Sequence, residues 1–262
     1  MAEEQGYLLD NRRREAGERF AAMAELFDPW TLQHLDRIGV AEGWQCWEVG
    51  AGAPGVPRAL AERVGPGGRV LATDLDTSWL TELPGNVEVA RHDVVADPLP
   101  EGRFDLVHAR LLLVHLPDRQ AVLERLVEAV RPGGWLVIED ADPQLQPLAC
   151  PDEHGPDQVL ANRIRRAFRA LLAERGADLS FGRTLPRLLR TAGLTQVAAE
   201  GYFPLTSPAC RTLEAATVRH LRAELLAAGV TEAEFDTHLA NLAGGELDVT
   251  TAQLITCWGQ KA

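Results

Sequence analysis

Between residues 44 and 140, short apolar runs alternate with stretches that are apolar along only one side of a helix. The runs at 45–49, 69–73, 87–90, 104–108 and 135–139 have strand length and are apolar enough to be buried on both faces or nearly so. Such runs, separated by amphipathic stretches, indicate βα units around a mainly parallel sheet. The stretch 119–130 sets Val122, Leu123, Leu126, Val127 and Val130 on one helical face. Asp118 stands where it can cap that helix and Pro132-Gly133-Gly134 where the helix would end, so this is a crossover between the fourth and fifth strands.

The flanks read as helical additions. Phe20, Met23, Leu26 and Phe27 recur at helical spacing within 11–27, and 31–38 continues the pattern up to Gly39. These helices are expected across the C-terminal edges of the strands. Past the fifth strand, 140–156 is rich in proline and acids and reads as a loop. Ile164, Phe168, Leu171 and Leu172 then mark a helix, and 185–190 marks another that stops at Ala192-Gly193. A strand is expected at 196–199, helix again over 210–243, and a last strand-like run at 250–258.

Composition narrows the classes. At 262 residues, 46% apolar and 24% charged, the chain has the make-up of a folded globular protein. A net charge of −12 argues against a surface that tracks nucleic acid. The local exception, Arg12-Arg13-Arg14, is followed at once by Glu15 and Glu18 and reads as a solvated helix face. Cys46, Cys150, Cys210 and Cys257 are far apart and form no C-x-x-C pair, so they read as buried thiols in a reducing compartment. The first ten residues lack the basic and apolar runs of a signal peptide, and no stretch approaches the roughly 20 apolar residues of a membrane span. A cytoplasmic protein with no membrane and no nucleic-acid partner is expected, and a homodimer stays open.

The candidate chemistry begins at Glu48-Val49-Gly50-Ala51-Gly52-Ala53-Pro54-Gly55, where the first strand ends and Pro57 can enter a helix. Without a Cβ, Gly50 and Gly52 can turn tightly and let backbone approach a nucleotide, while Glu48 supplies a carboxylate. An acid at the end of the second strand, Asp74, is placed to accept from both hydroxyls of a ribose, although a turn-forming role is the simpler alternative. A dinucleotide-binding domain shares both features. Asp93, after the third strand, can accept from an adenine amino group. Glu48 would repel a pyrophosphate but can pair with the ammonium of a methionine moiety.

In order, EVGAGAPG, ATDLD, RHDV, FDLVHARLLLVHLPD and RPGGWLVIED resemble the class I S-adenosylmethionine-dependent methyltransferases, particularly those of ubiquinone and menaquinone biosynthesis. The resemblance covers residues 40–140 and extends more loosely to GRTLPRLLRTAGL and ITCWGQ. It implies an α/β, Rossmann-like fold: a seven-stranded, mostly parallel sheet with helices on both faces, the last strand inserted antiparallel, and helical cap elements at both ends. The domains implied are a helical cap at 1–40 and a methyltransferase domain at 41–262 with helical insertions around 143–175 and 205–247. S-adenosyl-L-methionine is the implied cofactor and a small molecule the acceptor. Glu48, Gly50, Ala51 and Gly52 become the methionine-side loop, Asp74 the ribose acid, Leu75 an adenine packing surface, Asp93 and Val94 the adenine-edge contacts, and Arg110 part of the methionine end. The loop departs from the family pattern at Ala53-Pro54.

Methyl transfer from a sulfonium is an in-line displacement, so positioning and exclusion of water are the main tasks, with a base needed only for an acceptor that must lose a proton. His115 is the candidate base or acceptor contact, against a structural role at a helix junction. Tyr7 and Arg19 can close over the cofactor, with Arg19 on the methionine carboxylate, against an ordinary surface arginine. Glu139, Asp140 and Asp142 are acid-rich without a nearby histidine, and no metal site is expected. An aromatic or polyketide-like acceptor, a cyclase or hydroxylase that uses the cofactor without transfer, a non-catalytic binding protein and a nicotinamide-dependent oxidoreductase are the competing functions.

Overall fold

The computed structural model describes residues 8, 9 and 15–262; Tyr7 and Arg12 to Arg14 lie outside the described residues. In chain order the elements are α1 (Glu15–Ile38), β1 (Gln45–Val49), α2 (Gly55–Val64), β2 (Arg69–Asp74), β3 (Val87–Arg91), β4 (Phe104–Arg110), α3 (Arg119–Ala129) and β5 (Val130–Asp142). There follow α4 (Pro156–Glu174), α5 (Leu185–Thr191), β6 (Leu194–Tyr202), α6 (Pro208–His220), α7 (Arg222–Ala227), α8 (Glu232–Gly244) and β7 (Gln253–Lys261). Short 3-10 turns at Leu113–His115 and Gly182–Thr184 precede α3 and α5. No helix among the described residues is long and apolar enough to cross a membrane.

All seven strands form one sheet in the order β3-β2-β1-β4-β5-β7-β6. Pairings of β1 with β2 and β4, β2 with β3, and β4 with β5 are parallel, whereas β6 and β7 are antiparallel. The expected α/β architecture is therefore present. The order reverses between β1 and β4, the switch point outside whose carboxyl ends ligands bind in open α/β sheets.

Strand alternation sends neighbouring residues to opposite cores. Trp47, Val107, Leu136 and Ile138 face Leu123, Leu126, Leu185 and Leu189 of α3 and α5. Cys46, Leu106 and Val137 face Leu35 of α1 and Val56, Leu60 and Val64 of α2. Burial on both faces is why the central strands β1, β4 and β5 are mostly apolar.

Three local expectations need correction. The two N-terminal helices are one, because α1 continues through Pro29, which removes a single backbone donor that α1's other bonds span. Asp118 occupies the first position before α3 but makes no side-chain cap. Pro132-Gly133-Gly134 does not follow the helix as a stop: α3 ends at Ala129 and those residues open β5. Gly134 is needed for sheet contact, since a Cβ there would lie 2.9 Å from the carbonyl oxygens of Phe104 and Asp105.

The chain divides into two compact units. A sheet unit comprises 27–141, 181–202 and 254–262, and a helical unit comprises the described residues up to Leu26, with 142–180 and 203–253. The division between the units falls inside α1. In the helical unit, Leu8, Leu9, Ile164, Val218, Leu221, Leu225 and Phe235 form a core of their own. Its helices start on local signals: Ser207 caps α6, and Thr231 with Glu234 makes a reciprocal capping box on α8.

Candidate functional site

The turn after β1 carries Gly50 at φ +65° and Gly52 at φ +59°, conformations that L side chains rarely adopt. Its Ala51 N–H donates to the Thr73 carbonyl at 2.9 Å, and its Gly52 N–H donates to the Asp74 carboxylate at 2.9 Å. Asp74 also accepts from the Asp76 N–H at 3.0 Å. The glycine turn and the acid are thus bound together across two strand ends. Burial raises the Asp74 carboxyl above its ordinary range, and the backbone donors offset part of that. Next to it, Leu75 is 56% exposed.

A second turn meets the first. Leu111, directly after β4, sits at φ +53°, with its N–H donating to the Glu139 carbonyl at 2.8 Å. This left-handed step, costly for a branched side chain, carries Leu112 against Gly50, where a Cβ would lie 3.1 Å from the leucine methyls. The following 3-10 turn bears half-buried His115. Asp140 fixes that turn by accepting the Val114 N–H at 3.1 Å. Asp140 is fully buried, which pushes its carboxyl up to about 7 despite the amide donors and Arg119.

Asp93 follows β3 and accepts the N–H groups of Val95 at 2.9 Å and Ala96 at 3.3 Å, an Asx turn. Val94 is buried in the core on the α3 side. These residues, with Gly50 to Gly52, Asp74, Leu75 and Arg110, all lie at the carboxyl ends of β1 to β4. A cleft lined by Gly65, Gly68, Arg69, Asn86 and Val87 lies at the other, amino ends of β2 and β3.

Two of the expected ligand residues are engaged with other groups of the protein. Glu48 is 2% exposed, and its carboxylate takes the Nδ1–H of His108 at 2.6 Å rather than facing outward. Alternation is the reason: Trp47 and Val49 face α3, so Glu48 faces the α1 side of the sheet. Arg19 is buried in the helical unit, where its guanidinium donates to the Leu9 carbonyl at 3.1 Å and meets His220 Nδ1 at 3.3 Å.

Beneath the turns lies a polar row that the residue types alone did not assemble. Glu48 of β1, His108 of β4, Glu139 of β5 and Thr256 of β7 occupy four adjacent strands, all on the α1 side. Glu48 and His108 are in direct register. His108 Nε2 meets Glu139 at 3.4 Å, and Thr256 Oγ1 donates to Glu139 at 2.7 Å. Thr31 of α1 also donates to Glu139, Trp30 Nε1 donates to Thr256 at 2.8 Å, and Arg110 bridges Thr31 at 2.9 Å and Asp28 at 2.8 Å. Burial alone would discharge His108, but its two carboxylates outweigh that and push it up to about 9. Glu139, with hydroxyl donors as well, is held below the usual carboxylate range against its burial, whereas burial leaves Glu48 above it.

Residues 47–138 match the family described as a methyltransferase domain. Methyltransferase str3 of Strobilurus tenacellus is 33% identical over 166 residues, or 62% of this chain and 57% of that protein. Nocamycin O-methyltransferase of Saccharothrix syringae is 32% identical over 204 residues, or 70% of this chain and 71% of the relative. Phosphoethanolamine N-methyltransferase 2 of Haemonchus contortus, with phosphomonomethylethanolamine and S-adenosylhomocysteine, aligns at a TM-score of 0.60 and 17% identity. That alignment covers 98% of this chain but 60% of the nematode enzyme, and the match to str3 likewise spans little more than half of that relative.

Proposed function

This chain belongs to the class I S-adenosylmethionine-dependent methyltransferases, and we propose that it binds S-adenosyl-L-methionine and methylates an oxygen, nitrogen or carbon of a small molecule. The observation that carries this reading is the 2.9 Å bond from Gly52 N–H to the Asp74 carboxylate at the sheet's switch point. It joins a turn open to close backbone approach to an acid with acceptor capacity left over, since two carboxylate oxygens offer about four lone-pair sites. The donor set also fits: exposed Leu75 offers an apolar surface for a flat base beside a ribose acid.

In this reading Gly50, Ala51 and Gly52 hold the methionine side, Asp74 the ribose, Leu75, Asp93 and Val94 the adenine, and Arg110 braces the methionine end through Asp28 and Thr31. When bound, S-adenosylmethionine supplies a sulfonium methyl group open to displacement. His115 contacts the acceptor and takes its proton where one must leave. We assign an aromatic or polyketide-like small molecule as the acceptor. The free, buried thiols Cys46, Cys150, Cys210 and Cys257 support a reducing, cytoplasmic setting.

Calorimetric titration with S-adenosylmethionine and S-adenosylhomocysteine tests the cofactor, with nicotinamide dinucleotides in the same buffer. Micromolar binding of the two adenosyl ligands is expected. A methyl-acceptor screen of phenols, amines and quinones then tests transfer, with His115→Ala expected to slow proton-losing acceptors selectively. Acceptor conversion without release of S-adenosylhomocysteine would overturn the transfer step, and binding of a dinucleotide alone would overturn the cofactor.

A further inference from the structure

The row of Glu48, His108 and Glu139 makes none of the proposed ligand contacts, yet each member is essentially buried. Ions removed from water cost several kcal/mol each unless they are well paired, so a row of them calls for a reason. We propose that His108 is a positioning residue for the cofactor turns: as an imidazolium bonded to Glu48 on one side and Glu139 on the other, it holds the ends of β1, β4 and β5 at the spacing those turns require.

The geometry fits an imidazolium. Both ring nitrogens face carboxylate oxygens, at 2.6 Å and 3.4 Å. Where both carboxylates are ionised they only accept, so both nitrogens donate, as a doubly protonated imidazole does; burial pushes Glu48 toward its protonated form, and the His108 and Arg110 cations oppose that. The remaining charged neighbours preserve that state. Arg110, the other cation near both carboxylates, is matched by Asp28 of α1, while Thr31 of α1 and Thr256 of β7 add neutral donors to Glu139. The upward push on His108, to about 9, agrees.

Its reach to the turns is short. Glu48 stands two residues before Gly50, and Glu139 receives, through its carbonyl, the Leu111 N–H that sets Leu112 on Gly50. Without the cation, two carboxylates on either side of β4 repel each other or take up a proton, and the strand ends they belong to move apart. The ammonium of the ligand is then met by displaced backbone. This assignment rests on the cofactor reading above only for its binding readout.

The test is His108→Gln, with the double variant Glu48→Gln/His108→Gln as a version that removes one charge of each sign should the single variant fold poorly. Amide hydrogen exchange at Ala51 and Gly52, followed without ligand, should accelerate about tenfold or more in the variant as local opening becomes easier. Nitrogen-edited NMR of the wild type should show the His108 ring protonated at both nitrogens at neutral pH. Affinity for S-adenosylhomocysteine should weaken about tenfold at pH 7, a change of roughly 1.4 kcal/mol. Because the folded histidine is raised, its contribution is present below about 9 and lost above it, so the ratio of variant to wild-type Kd should fall toward one as pH passes that value. The ligand's own ammonium titrates equally in both proteins and cancels. A singly protonated ring at pH 7, or unchanged exchange and affinity in a folded variant, overturns the proposal. Absence of ligand binding by the wild type overturns the cofactor reading instead, and amide exchange still decides the role of His108.

Discussion

Gly52 and Asp74 are joined by a 2.9 Å hydrogen bond from backbone N–H to carboxylate, so the turn after β1 and the acid after β2 cannot move separately. An Asp74→Ala change therefore removes a ligand contact and loosens the turn, whereas Asp74→Asn keeps one acceptor for Gly52. We expect Asp74→Ala to abolish measurable S-adenosylmethionine binding and Asp74→Asn to weaken it by about one to two orders of magnitude, as the loss of a charged hydrogen bond does. Equal losses in calorimetry for the two variants would show that the tie to Gly52 is irrelevant.

Gly50 combines φ +65° with Leu112 packed 3.1 Å from where a Cβ would stand. Gly50→Ala meets both obstacles. The left-handed conformation alone costs about 1–2 kcal/mol for an L residue, and the contact adds strain unless the leucine moves. Chemical denaturation of Gly50→Ala alone and combined with Leu112→Ala separates the terms. The second change should relieve the contact and leave the backbone cost, so full rescue would mean that sterics alone had mattered.

Asp140 is an acid whose carboxyl rises from 3.8 to about 7 on folding because burial penalises its charge. The native state then holds a proton that the unfolded chain has released. Stability consequently falls as pH rises from about 4 to 7 and levels off above. Relative to the wild type, Asp140→Asn should gain roughly 2–4 kcal/mol between pH 4 and pH 8, on top of any constant offset from losing the second acceptor for Ala141. A difference between the two proteins that does not vary with pH would place the ionised form in the fold without penalty.

The reach of the sequence is clearest where physics is local. Apolar runs gave β1 to β5 within a residue or two at most ends, even for β3, which lies exposed at the sheet edge, because nothing distant is needed to make such a run a strand. The exception, β5, begins at Val130, since Gly134 serves a close approach to β4 that only the paired strand makes visible. In sequence alone Glu48 stands at a ligand and His108 has no role, because the meeting of Glu48, His108 and Glu139 depends on the order β1-β4-β5, which is not written in any one segment. Arg19 illustrates the same limit: its partner His220 is 201 residues away.

The helical unit offers the sharpest test of buried charge. Arg165 Nη2 donates to Glu214 at 2.6 Å and to the Thr250 carbonyl at 3.0 Å, and His238 Nε2 lies 3.6 Å from the same carboxylate. Burial opposes ionisation of Glu214, but Arg165 and His238 prevail and hold its carboxyl at about 2. A lowered acid contributes stability that is complete above its unfolded value of 4.5 and lost as pH falls toward 2. Arg165→Met leaves the carboxylate buried without its cation and should cost about 3–5 kcal/mol at pH 7, while Arg165→Met/Glu214→Leu should recover most of it. The pH dependence supplies the decisive sign. Removing Arg165 lets burial raise Glu214, so the single variant should become less unstable relative to wild type as pH drops from 7 to 3. All six tryptophans lie in the sheet unit, so helix loss is followed by far-ultraviolet circular dichroism rather than by fluorescence. A deficit in Arg165→Met that stays constant from pH 7 to pH 3 would show that the ion pair is not what the arginine contributes.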